Sequence, residues 1–137
     1  MLPMDDFALL RRASAEFERR LAAVTPAQLL QSSPCEDWTV RDLVSHVVGE
    51  SIMSVRLLHG ATGEEAVVGL DGDLLGDRAS AAFVTAAVAE RVAFEEPDAM
   101  ERIVHHPAMD MPGAQLLGFR IGGLTFAHMG LGPGHWR

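Results

Sequence analysis

The sequence predicts an all-α fold, a four-helix bundle with a long loop between its second and third bundle helices. Three observations predict it. Apolar residues recur at helical spacing along the long segments. Capping signatures mark helix starts at Asp5, Thr25 and Thr39. Alanine is abundant, tyrosine is absent and aromatic residues make up 6% of the chain, which favours helices over sheets.

The first segment runs from about Asp5 to Val24, with Phe7, Leu10, Phe17, Leu21 and Val24 on one stripe. Asp5 and Asp6 suit its positive dipole end, and Arg11, Arg12, Glu16, Glu18, Arg19 and Arg20 form a solvated face. Thr25-Pro26-Ala27-Gln28 starts a short helix that Ser32-Ser33-Pro34 must break. From Thr39 to about His59, Val40, Leu43, Val44, Val47, Val48, Ile52, Val55 and Leu58 give a wide apolar face. Gly60 to Gly76 reads as a long loop, with a short strand or turn at Ala66 to Leu70. Asp77 is expected to cap a helix from Arg78 to about Phe94, with Phe83, Ala87 and Phe94 on or near one face and Pro97 ending the region. Ile103 to Pro107 reads as extended, since a residue before proline avoids the helical region. Asp110 and Pro112 read as another helix start, followed by a helix over 115–126 that Gly118, Gly122 and Gly123 weaken.

A length of 137 residues with 48% hydrophobic and 22% charged residues fits one globular domain. The formal net charge is −8, from 19 acids against 11 bases. Such a surface repels phosphate backbones and anionic lipid, so neither nucleic acid nor membrane is expected as a partner. No apolar stretch reaches bilayer length, and the N-terminus lacks the features of a signal peptide. Cys35 is the one cysteine, which leaves no internal disulfide and suggests a reducing cytoplasm.

His46 and Glu50 stand four residues apart in the most regular helix, so they project from one side. A histidine and a carboxylate so placed either ligate a metal together or form an exposed pair. His105-His106 reads as a turn before Pro107, and His59 as a histidine at a helix C-terminus. His128 and His135 say little by themselves. Cys35 lies between Pro34 and two acids, which disfavours a reactive thiolate and suggests packing against Trp38. The sequence holds no phosphate-binding glycine loop, no paired-cysteine zinc motif and no serine nucleophile elbow.

The run Ser33-Pro34-Cys35-Glu36-Asp37-Trp38-Thr39-Val40-Arg41-Asp42-Leu43-Val44-Ser45-His46 is more specific. It resembles the signature of the DinB-like, mycothiol-dependent maleylpyruvate isomerase family. Pro107-Ala108-Met109-Asp110-Met111-Pro112-Gly113 and Gly118-Phe119-Arg120-Ile121-Gly122 resemble it too, so the resemblance spans about Asp5 to Thr125. It implies a DinB-like four-helix bundle holding a divalent metal, zinc first, on three ligands. His46 matches the first ligand. It also implies mycothiol as a small thiol that adds to an activated double bond of a small-molecule substrate, in isomerase or transferase chemistry.

The sequence departs from that pattern on the last helix. Gly123 stands where the family has an acid, and Ala127 where it has a histidine. His128 is one place late, a rotation of about 100° around a helix. Read from the second base of the Phe126 codon, the 3′ end permits Leu-His-Thr-Trp-Asp-Leu-Ala-Arg-Ala-Thr-Gly, the family's C-terminal motif. The tryptophan is forced by the Met129 codon followed by that of Gly130. The expectation is a single-base insertion after Thr125, which resequencing tests directly, with Gly123 a separate substitution and the C-terminal part of the domain incomplete.

Two functional expectations follow. The first is a divalent-metal protein with His46, His128 and Glu50 as ligands and mycothiol as co-substrate. The second is a non-catalytic helical bundle without the metal site, acting in self-association, as a homodimer, or in partner binding, because a shortened bundle exposes apolar surface.

Overall fold

The computed structural model describes residues 5–33 and 38–129, without the side chains of residues 128 and 129. The element order is α1 (Asp6–Ala22), α2 (Pro26–Leu29), α3 (Val40–Leu58), α4 (Gly63–Ala66), α5 (Ala79–Phe94), β1 (Ile103–His105), β2 (Asp110–Pro112) and α6 (Gly113–Met129). Four long helices, α1, α3, α5 and α6, form the bundle. No helix among the described residues is long and apolar enough to cross a membrane.

Local chemistry sets several of these starts. The Asp5 carboxylate accepts from the Ala8 amide at 2.8 Å. Thr25 with Gln28 and Thr39 with Asp42 each close a reciprocal capping box, satisfying amides that have no partner inside the helix. A third box, Thr62 with Glu65, starts α4 inside the expected loop. The residues after α4 are turns rather than a strand.

Two expected starts fall differently. Asp77 does not cap α5; Arg78 holds the N-cap position with no side-chain hydrogen bond. Asp110 and Pro112 do not open a helix. They form β2, paired antiparallel with β1 through Val104↔Met111, and both of those residues are buried. Burial of this pair outweighs the local signal at Asp110. α6 then starts at Gly113, whose amide donates to the Arg102 carbonyl at 2.7 Å.

Ion pairs and hydrogen bonds at the helix ends define the topology. Arg41 near the start of α3 reaches Asp73 at 2.9 Å and the Gly76 carbonyl at 2.8 Å, just before α5. His59 at the end of α3 meets Glu96, just past α5, at 2.8 Å. The two helices therefore run parallel, and the 59–78 crossover carries the chain back. Arg56 fixes that crossover by donating to the carbonyls of Ala66 and Val68. α1 runs antiparallel to α5, with Phe17 against Phe83 (ring centroids 4.7 Å) and Arg11 paired with Glu95. The core holds Phe17, Phe83 and Phe94 together with Leu57, Leu58, Leu116, Leu117 and Leu124.

Two glycines of α6 are expected to respond oppositely to one methyl group. A Cβ on Gly113 would lie 1.9 Å from the Ala99 carbonyl oxygen, whereas a Cβ on Gly118 meets nothing within 4 Å. Gly113→Ala should lower the urea midpoint sharply, because backbone must move. Gly118→Ala should raise stability by about 0.5–1 kcal/mol, through helix propensity alone.

Candidate functional site

His46 and Glu50 lie one turn apart on α3, on the side facing α6. His46 Nε2 is 2.8 Å from Glu50 Oε1, and the Trp38 ring packs against the imidazole with centroids 4.8 Å apart. They border a cavity of about 350 Å³ between α3 and α6, lined further by His106, Phe119, Arg120, Gly123 and Ala127. The same three side chains, Trp38, His46 and Glu50, also border a second cavity beneath the 67–72 turns.

Behind Glu50 lies a buried polar network that joins three helices. Arg120 Nε on α6 donates to Glu90 Oε2 on α5 at 2.6 Å. Its Nη2 donates to Ser51 Oγ on α3 at 3.1 Å, and that hydroxyl donates to Glu90 Oε1 at 3.2 Å. Glu90, Ser51 and Arg120 are 0%, 1% and 3% exposed. Arg120 Nη1 stands 3.5 Å from Glu50 Oε2, so the fixed guanidinium faces the site. The hydrogen bond from His46 holds the Glu50 carboxyl below the usual carboxylate range. Burial opposes this, and the charges of Arg120, His46 and His106 add to it.

A family model for the mycothiol maleylpyruvate isomerase N-terminal domain matches residues 10–114. The chain belongs to that family. The crystal structure of the mycothiol-dependent maleylpyruvate isomerase shares this fold with a TM-score of 0.76 at 20% identity, over 96% of this chain and 61% of that one. The structure of a histidine-to-alanine mutant of that isomerase gives 0.78 at 21% identity, with the same coverage. Uncharacterized proteins from two strains of Mycobacterium tuberculosis are 30% identical over 117 residues, covering 85% of this chain and 60% of each relative. The chain thus spans about three-fifths of the length of the relatives it matches.

The family resemblance implies a three-ligand divalent centre at His46. The described residues do not fit one. No three His, Cys, Asp or Glu side chains gather for a metal among them. Gly123 and Ala127, across the cavity from His46, carry no donor atoms. Glu50 is engaged through one oxygen by His46 and faces the Arg120 cation with the other, which disfavours a dication there. The side chain of His128 and the whole of Cys35 lie outside the described residues.

Of the expected ligands, the structure brings His46 and Glu50 together. The reading of His105-His106 as a plain turn does not hold: His105 is the last residue of β1, paired with Asp110, and His106 follows it and lines the cavity. Glu90 and Ser51 carry no local sequence signal of their own. One signal was available: Arg120 is the only Asp, Glu, Lys or Arg in α6 and needs a buried partner.

The depressed Glu50 carboxyl has a pH consequence. Its contribution to stability is present above its unfolded-state pKa and fades as pH falls through the lower folded-state value. His46→Ala removes the main cause of that depression. The urea midpoint of the variant should therefore fall less between neutral and acid pH than that of the unmodified protein. Parallel pH profiles would contradict the assignment.

Proposed function

We propose that this chain is a small-thiol-handling protein of the isomerase or transferase type, working in the cytoplasm at the cavity between α3 and α6. His46 is its base and Glu50 the residue that orients the imidazole. The observation that carries this reading is the 2.8 Å His46–Glu50 contact at the mouth of a cavity. The pairing of a base with a carboxylate that orients it is a common arrangement for activating a nucleophile. The relatives of known structure are mycothiol-dependent maleylpyruvate isomerases, which makes mycothiol the thiol to try first.

In this reading His46 takes the proton of the thiol. The thiolate adds to a carbon–carbon double bond conjugated to a carbonyl, and the electron pair moves to the carbonyl oxygen. Rotation about the new single bond and expulsion of the thiolate give the isomer, and His46 returns the proton. Arg120 is already held by Glu90 and Ser51, so it serves as a fixed positive charge beside Glu50.

A second reading keeps a divalent cation, zinc first, on His46 with Glu50 and His128. The convergence of His46 and Glu50 on one helix face favours it. It requires Glu50 to turn away from Arg120.

Metal content per purified chain separates the two, measured beside thiol-dependent isomerisation of maleylpyruvate, with His46→Ala as control. The expected result is far less than stoichiometric metal in both proteins. Slow turnover that survives a chelator should fall about a hundredfold or more in the variant. Stoichiometric metal that disappears with His46→Ala would establish the second reading instead. No turnover, with a concentration-dependent dimer, would make the chain a non-catalytic association module.

A further inference from the structure

We propose that the groove between α3 and α5 binds an apolar monocarboxylate with an aliphatic body, whose head group pairs with Arg78. The groove is open to solvent along one side and has a volume of about 600 Å³, within the range of small-molecule sites. Val48, Ile52 and Val55 of α3 form one wall, Ala82 and Ala86 of α5 the other, and Leu74 lies beside them. Val48 is two residues from His46, about 200° around the helix, so this groove opens on the far side of α3 from the candidate site. No residue lines both.

Two cations border this apolar surface. Arg56 is committed, since its Nη1 donates to the Ala66 and Val68 carbonyls. The Arg78 guanidinium is exposed and has no hydrogen-bond or ion-pair partner among the described residues. Arg12 and Arg91 also lack a side-chain partner among the described residues, but of these three only Arg78 borders the groove. Arg78 selects an anionic head group, while the walls select an apolar body. From Val48 to Arg56 the groove follows α3 for about 12 Å at the helical rise. That length suits a single extended small molecule. A stable contact with a second protein needs about 800 Å² from each partner.

Titration calorimetry with decanoate and with decanol, on the full chain, tests the proposal. Decanoate should bind saturably, one molecule per chain. Arg78→Ala should weaken decanoate by about three- to fivefold, as expected for an exposed ion pair, and leave decanol unchanged. Ala82→Trp should remove both by filling the groove. If circular dichroism shows that variant unfolded, Thr85→Trp, on the exposed wall, takes its place. Absence of saturable decanoate binding would overturn the proposal. So would equal weakening of both ligands by Arg78→Ala, or decanoate binding that survives the groove-filling variant. A dimer dispersed by Ala82→Trp without any decanoate binding would overturn it in favour of a second copy of the chain. Metal content and thiol turnover read the other face of α3, so failure here is distinct from failure there.

Discussion

The buried pair of Glu90 and Arg120, closed by the Ser51 hydroxyl, is the constraint on which the arrangement of the bundle depends. It is the only place among the described residues where α3, α5 and α6 join buried polar side chains: the charges of Glu90 and Arg120 and the hydroxyl of Ser51. Removing such charges from water is costly, and the pair is tolerable only because each polar atom finds a partner. That requirement has a geometric consequence. α6 must lie at one height and one rotation against α3 and α5, or a charge is left uncompensated. Apolar packing of Leu116, Leu117 and Leu124 holds α6 to the core, but such packing tolerates small slips that hydrogen bonds do not.

The site inherits its shape from this clamp. With Arg120 fixed, Gly123 and Ala127 fall across the cavity from His46. Their lack of side-chain donors leaves room where the family resemblance implies ligands. The same clamp delivers Arg120 Nη1 to Glu50, so the carboxylate already faces a cation. A positive charge from the protein thus stands 3.5 Å from the same carboxylate whose other oxygen His46 engages. Membership of the isomerase family fixes the scaffold, whereas chemistry depends on these particular side chains.

Legibility from sequence followed the range of the forces involved. The starts of α1, α2 and α3 were readable because Asp5, Thr25 and Thr39 act within three residues. α4 carries the same signal in Thr62 and Glu65, but the surrounding glycines masked it. α5 starts one residue past the expected Arg78, and Asp77 does not cap it, since no side chain caps this helix; the Arg41 tie to Asp73 and Gly76 places the chain there. The extended run at Ile103 was legible, but its partner at Asp110 was not, because pairing depends on the burial of Met111 against Val104. His46 and Glu50 were readable as neighbours on one helix. Glu90 and Arg120 are 30 residues apart on different helices, and nothing local connects them.

A double-mutant cycle on Glu90→Leu and Arg120→Met, followed by urea unfolding, tests the clamp most directly. Each single substitution should cost about 3–5 kcal/mol, because it strands a buried charge. The double variant should cost much less than the sum, since both charges are gone and apolar side chains fill the space. Single losses that simply add, to within about 0.5 kcal/mol, would show that Glu90 and Arg120 do not act together and would contradict the account.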